Sequence, residues 1–571
     1  MTRNFLSRVF ATAALVVAGS GIANASDYAD RVFLGDHIIT MDAANDTANA
    51  VAIRGDKIIF VGDKSDTKAL IGKQTEVIEL GDNALIPGLI DAHGHFTMVA
   101  RQVDLLNVSS PPVGPVEEID DIVELLKAFI KEKGIAKGEW VMAYGYDDSL
   151  LKENRHPTRE DLDKASKDNP IYIRHVSGHL GVANSAALAA VGITADSPNP
   201  AGGVIRRLAG GSEPNGVLEE AATMPFMMQY FKTQSTDPNA FADMVAKAIT
   251  YCASFGLTTI QDGASMLADV KALQGFAEQG MIQADIAMFP HISMVPKGIE
   301  PQSLYQTEYQ KGVRVAGIKF ALDGSPQGRT AWLTQPYTHL PHGVTDKEYK
   351  AYSTVDAAEY KAQAKAVLLA GMPIIVHSNG DAAIDLMLDS VEEAFAGQEI
   401  PDHRSVIIHA QLMRQDQLDR AKRLKVIPSF YSAHPFFWGD WHRLSFGDER
   451  AFGISPTGSA LRKGITFTVH NDSPVVPPDM MRLLWVTVNR ETRSGFVLGP
   501  DERISPLEAL RAMTINAAYQ YFEEDKKGSL TVGKQADLVI LGADPITVDP
   551  GTIKDIPVLE TIAHGQTIFK M

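Results

Sequence analysis

Eight short apolar runs spaced through the chain constrain its fold more than any other feature. They cover 84–90, 257–260, 282–289, 315–321, 372–376, 405–408, 426–430 and 465–469. Helix-like stretches at 358–369, 382–396 and 415–424 fall between the later ones. Apolar runs alternating with helical periodicity predict parallel strands joined by crossover helices. Eight such strands make the count of a TIM (β/α)8 barrel, so the expected class is α/β. Between the first two runs lies a long segment, about 101–255, with strand-like pieces of its own at 140–144 and 170–175. No structureless loop of that length belongs in a compact domain. It is expected to be an inserted subdomain over the barrel mouth.

Both ends of the chain have a different texture. Short alternating segments at 31–34, 37–41, 50–54, 57–61 and 75–80 are punctuated by Gly35-Asp36, Gly55-Asp56 and Gly62-Asp63. Segments 528–532, 536–541 and 558–569 read the same way. Neither end holds enough apolar surface to fold alone. The two are expected to pair into a small β-sandwich, residues 26–84 with 525–571, flanking a barrel of residues 85–524.

The first residues read as a targeting segment. Arg3 and Arg8 precede the apolar run 10–17, and Ala23-Asn24-Ala25 follows. A charged start, a short apolar core and a small-residue site predict cleavage after Ala25 and a periplasmic or secreted product. The run is too short to span a bilayer, so no stable membrane insertion is expected once it is removed. A single cysteine, Cys252, excludes an intrachain disulfide, and the core alone must stabilise the fold. A formal charge of −17 argues against nucleic acid and anionic membranes as partners and leaves a small molecule. Chain length leaves a homo-oligomer open.

Chemistry-bearing residues sit where the predicted strands end, the face that carries catalysis in such barrels. The first run is followed by Asp91-Ala92-His93-Gly94-His95. Two histidines one residue apart aim at one point in an extended chain, and imidazole is the commonest protein metal ligand. Lys319 lies inside the fourth run, His377 ends the fifth, His409 the sixth, and His470-Asn471-Asp472 the eighth. A lysine buried in an apolar strand is costly unless paired or neutralised. As a neutral amine it can add carbon dioxide and become an anionic carbamate ligand; the competing reading is an ion pair with Asp323. Asp472 can hold a metal and act as general base and acid, since zinc brings the pKa of its water toward neutrality. Asn-Asp-Ser-Pro is also strong turn chemistry.

These motifs resemble the metal-dependent amidohydrolase superfamily. The resemblance rests on Pro-Gly-Leu-Ile-Asp-Ala-His-Gly-His at 87–95, on His377, His409 and Asp472, and on Gly-Ser-Leu-Thr-Val-Gly-Lys-Gln-Ala-Asp-Leu-Val at 528–539. Gly178-His179, Asn184-Ser185, Lys319 with Asp323-Gly324-Ser325, and His377-Ser378-Asn379-Gly380-Asp381 make it most similar to the YtcJ-like, amidohydrolase 3 branch. That branch includes N-substituted formamide deformylase and AepA-like proteins. The resemblance implies a metal centre and hydrolysis of a carbon–nitrogen bond. His93 and His95 would bind one metal with Asp472, carboxylated Lys319 would bridge, and His377 and His409 would bind a second. One or two ions fit the motif. The ligand set suits zinc, with manganese or iron also compatible. His470-Asn471 departs from the small residues usual before the strand-eight aspartate.

Three further expectations concern the substrate. His179 is a candidate donor to its carbonyl oxygen. Arg329 could hold a carboxylate bidentately, though an ion pair within the protein is the competing reading. The aromatic cluster Tyr431, Phe436, Phe437, Trp438 and Trp441 would form one wall of the mouth, with Phe436 and Trp438 against an apolar or aromatic group. The function expected is exported, metal-dependent hydrolysis of an amide-type bond. The alternatives are ester or carbamate cleavage on the same centre, a non-catalytic regulator or binding protein with a relict barrel, or a periplasmic solute-binding protein, which the order of the strand-end ligands disfavours.

Overall fold

The apolar run 84–90 is shared between two sheets rather than forming one strand. Ala84–Pro87 pairs antiparallel with Leu538–Leu541 and in parallel with Arg31–Asp42. Leu89–Ile90 pairs in parallel with Leu257–Ser265 instead. The crossing falls at Gly88, where a Cβ would lie 2.3 Å from Thr258 Oγ1. This computed structural model describes residues 28–178, 180–200, 203–234, 238–296, 298–341 and 344–571. The expected export signal, residues 1–25, and the candidate His179 lie outside the described residues.

Two parallel sheets follow one another in chain order. Leu89–Ile90, Leu257–Ser265, Asp285–Pro290 and Val313–Val315 form the first. Ile318–Ala321, Ile374–Ser378, Val406–His409, Ile427–Phe430 and Thr468–Val469 form the second. Only Ala316-Gly317 separates Val313–Val315 from Ile318–Ala321, so the fourth apolar run supplies one strand position to both sheets. Beyond the eighth position the chain returns to the first: Asp472 N donates to His93 O at 3.2 Å and His95 N to Ser473 O at 2.7 Å.

The strands are buried on both faces, as parallel strands covered by helices must be. Ile374 and Val376 pack outward with Ile286, Ile407 and Phe430, while Ile375 points inward with Ile90, Phe289 and Ile408. Helices Ala357–Leu369, Asp381–Ala394 and Gln415–Leu424 lie between the later strands, close to where periodicity placed them. Among the described residues no helix is long and apolar enough to cross a membrane.

The chain ends join in one eight-stranded sheet. Arg31–Asp42 is a single strand where two were expected; Gly35-Asp36 sits at a register shift against Asn45–Arg54 and makes a bulge rather than a turn. Residues 528–532 form no strand; the last part begins at Leu538. Side chains alternate as a sheet requires: Val32 and Leu34 enter one apolar cluster, Phe33 and Ile38 another.

The segment between the first two parallel strands builds a sheet of its own. Its order is Gly203–Arg207, Pro214–Glu220, Leu180–Ala183, Ile171–His175, Val141–Tyr146, Leu106–Asn107. Ile122, Leu126, Val141 and Ile173 fill one face, and Met142, Tyr172, Leu188 and Phe226 the other.

Candidate metal centre

The expected ligands come from five separate strand ends and converge. His93 and His95 follow the first strand, where Asp91 Oδ1 accepts from His93 N at 3.2 Å and turns the chain. Gly94 is required there, because a Cβ would lie 2.4 Å from Asp91 Oδ2. Both imidazoles face one oxygen: Asp472 Oδ1 is 3.5 Å from His93 Nε2 and 3.2 Å from His95 Nε2. Asp472 and His409 hold left-handed backbone, with φ of 58° and 76°. Such conformations cost on the order of 1–3 kcal/mol and persist where the surroundings impose them, often at functional sites.

Hydrogen-bond partners fix the tautomer of His93. Gln261 Nε2 donates to Ala92 O at 2.8 Å and to Tyr521 Oη at 2.6 Å, so its Oε1 is the atom facing His93 Nδ1 at 2.6 Å. Nδ1 must then carry the proton, leaving the Nε2 lone pair pointed into the centre. Tyr521 completes the support by donating to Asp91 O at 2.7 Å. Burial, followed by the charge of Lys319, holds the His93 imidazole well below its ordinary pKa and keeps it neutral.

Lys319 is buried, and its Nζ lies 3.2 Å from His93 Nε2. Burial pulls its pKa down to about 7, with Asp472 partly opposing. Asp323 is not its partner. That carboxylate accepts from the backbone nitrogens of Asn379, Gly380 and Trp332 at 3.0, 2.8 and 3.0 Å. Burial pushes Asp323 up to about 7.

His377 and His409 form the far side. His377 Nε2 lies 3.0 Å from Gly324 O and 3.1 Å from Asn379 Nδ2. Its Nδ1 faces His409 Nε2 at 3.0 Å. His409 Nδ1 contacts His470 Nε2 at 3.1 Å, and His470 Nδ1 contacts Ser429 Oγ at 2.9 Å. Passing protons outward to Ser429 leaves His409 Nε2 bare. His470 is therefore a support for His409, and Asn471 beside it turns its amide to Met480 Sδ at 3.7 Å.

The donor set fits a divalent cation. One atom each from His93, His95 and Asp472 lies within 4.8 Å of the others. Asp472 Oδ1 is buried without a hydrogen-bond partner, facing the His93 nitrogen that also meets Lys319 Nζ. Buried acceptors turned on one another are costly unless a cation lies between them. A second group of that kind, Asp147, Asp148 and His175, lies in the insertion. There His175 Nδ1 accepts from Ser177 N at 3.1 Å, so Nε2 carries a proton and donates to Asp148 Oδ1 at 3.0 Å. That pair offers no free imidazole nitrogen.

A cavity of about 380 Å³ adjoins the centre. Met98 and Val99, on the helix that starts after His95, line it with Pro474–Val476, which follow Asp472. Phe437 and Trp438 form an aromatic wall, as expected for Trp438. Phe436 does not line this space; it is half-buried and packs on Trp485 with ring centroids 5.5 Å apart. Arg329 is also elsewhere. Its guanidinium lies 4.1 Å from the Trp441 ring centroid, its Nε donates to Ser445 Oγ at 3.2 Å, and its Nη2 is buried without a hydrogen-bond partner. Tyr431 is buried against His409 and His470 at 5.7 and 5.2 Å between ring centroids.

Sequence reasoning missed Gln261, Tyr521 and the supporting role of His470. A glutamine within an apolar strand was the one available signal for Gln261.

Residues 76–569 match the profile described as the amidohydrolase family. N-substituted formamide deformylase of Arthrobacter pascens is 27% identical over 550 residues, covering 94% of this chain and 97% of that protein. The putative amidohydrolase YtcJ of Bacillus subtilis is 25% identical over 552 residues, covering 94% and 99%. A metal-dependent hydrolase of Pyrococcus horikoshii superposes with a TM-score of 0.70 at 21% identity, covering 91% of this chain and 99% of that one, so the fold is TIM-barrel-like α/β. The chain belongs to the amidohydrolase family and is a metal-dependent hydrolase of non-peptide carbon–nitrogen bonds.

Proposed function

We propose that this protein is exported after loss of residues 1–25 and hydrolyses the amide bond of an N-acyl or N-formyl compound carrying an apolar or aromatic group. The observation that carries the reading is the convergence of His93, His95 and Asp472 around an orphaned carboxylate oxygen. The similarity to a formamide deformylase supports the bond type. The wall of Met98, Val99, Phe437 and Trp438 supports the apolar group. The parallel strands would close as a barrel (residues 85–524), with the paired chain ends (26–84 and 525–571) as a flanking β-sandwich and the insertion as its lid.

In this reading His93, His95 and Asp472 would hold one zinc ion, and His377 and His409 a second where two are bound. Lys319, as its carbamate, would be a further ligand; manganese or iron would also suit these residues. When bound, the ion supplies the acidity that makes water nucleophilic at neutral pH and polarises the carbonyl. Gln261 orients His93, and the His470–Ser429 pair orients His409. Asp472 takes the proton of the attacking water and gives it to the departing nitrogen. Water thus adds to the carbonyl carbon, the carbon–nitrogen bond breaks, and a carboxylic acid and an amine leave. His179 is the proposed donor to the carbonyl oxygen.

The test pairs elemental analysis with turnover of matched amides and esters. Wild type should hold zinc and prefer the amides. Asp472→Asn should keep part of its metal while kcat falls about 100- to 10,000-fold. Bicarbonate should raise metal content in wild type and not in Lys319→Met. Undiminished turnover in Asp472→Asn would overturn the assignment.

A further inference from the structure

The cavity beside the centre contains more positive charge than an apolar amide needs. Arg174 lines it from the end of strand Ile171–His175. Among the described residues its guanidinium has neither a hydrogen bond nor an ion pair, whereas Arg206 of the same sheet is paired with Glu219. Burial pulls the Arg174 pKa below its ordinary value, the mark of a cation without compensation. Gly178, at φ 77°, leaves the group its space, since a Cβ there would lie 2.7 Å from Arg174 Nη2. Arg493 lines the same cavity from a distant part of the chain. One nitrogen, Nη1, donates to Pro111 O at 2.5 Å, while its Nε is buried without a partner. The Phe436 and Phe437 rings lie 5.6 and 5.4 Å from its guanidinium carbon and fix its position. Among the described residues Asp147 is the single carboxylate in the lining; its charge acts on Arg493, and its Oδ1 accepts from Ser149 N and Oγ at 3.0 and 2.6 Å.

Two guanidiniums against one engaged carboxylate leave a positive site facing the space where substrate enters. An arginine in such a place is best compensated by a planar anion bound through paired N–H donors. We propose that Arg174 and Arg493 bind a carboxylate of the substrate, which makes the substrate an N-acylated amino acid with an apolar or aromatic side chain. This rests on the amide-hydrolase reading above and adds to it the identity of the substrate's second group. The carboxylate sits at the arginines, the side chain on the Phe437–Trp438 wall, and the amide at the end of the cavity beside Asp472. Hydrolysis then yields a free amino acid and a carboxylic acid.

The experiment uses the metal-loaded enzyme with two probes differing only in the charged group, N-formyl-phenylalanine and N-formyl-phenethylamine. Wild type should prefer the first at least about tenfold in kcat/KM, mainly through KM. Arg174→Gln and Arg493→Gln should each cut kcat/KM for N-formyl-phenylalanine about 10- to 100-fold and bring the ratio between probes toward one. Arg174→Lys should recover part of it. Calorimetry with Asp472→Asn protein reports binding without turnover and should show the same preference. Equal use of both probes by wild type, or a preference that survives both substitutions, overturns the proposal. Preferential binding without cleavage of either probe would leave the carboxylate site standing and remove the hydrolase reading.

Discussion

His93 is held by a chain of polar groups that each have one possible orientation. Gln261 cannot rotate its amide without losing Ala92 O and Tyr521 Oη, so the proton on His93 Nδ1 is set from outside the metal centre. Supports of this kind raise the basicity of the ligand and fix its ring. Gln261→Leu keeps the volume and removes the acceptor. Its metal affinity should fall about 10- to 100-fold in competition with a chelator, beside a loss of about 1–3 kcal/mol in stability from the buried partners left unpaired. An unchanged affinity would make Gln261 a mere core residue. The candidate ligands were legible in the sequence because histidine, lysine and aspartate at strand ends are chemically conspicuous. Gln261 was not, because its importance comes from the second strand lying beside the first. Arg329, an arginine in a polar loop, reads as a clamp in sequence; its place outside the cavity, against Trp441 and Ser445, depends on packing that no local pattern shows.

At the scale of elements, the apolar runs located the parallel strands but not where one sheet ends and another begins. Residues 84–90 are buried throughout, so burial does not mark the break; Pro87-Gly88 stands at it as the local signal. A steric mark lies in the partner strand, at the closeness of Gly88 to Thr258. An added methyl would meet Thr258 Oγ1 at 2.3 Å and Cγ2 at 2.6 Å. Gly88→Ala should therefore destabilise the protein by about 1–3 kcal/mol, the usual cost of overpacking. Thr258→Ala deletes both atoms, and the double variant should regain much of the loss in chemical denaturation. Additive losses would show that Gly88 is needed for another reason. The bulge at Gly35-Asp36 teaches a similar lesson, since glycine beside aspartate signals a turn and a bulge alike.

Across the whole molecule, the sheet made from the chain ends is tied to the parallel strands by buried charge. Lys527 donates to Asp285 at the start of the third strand and lies 3.1 Å from Glu523. His564, between the last two strands of the terminal sheet, places Nε2 3.2 Å from Asp285 Oδ1. Burial disfavours the charge on Asp285, but Lys527 and His564 outweigh it and hold the carboxyl below its usual range. The hydrogen bond to Asp285 in turn raises His564 from 6.5 to about 9. The folded protein thus binds this proton more tightly than the unfolded chain. The resulting stability is complete below pH 6.5, declines as pH rises, and is gone above about pH 9. For a partly exposed imidazole, screening reduces it to about 1–2 kcal/mol. His564→Gln should lose that amount at pH 6 and nothing at pH 9.5, so the difference between wild type and variant in urea isolates the group from every other titration. A difference independent of pH would mean that His564 serves by packing, and that Lys527 alone balances the buried aspartate joining the two sheets.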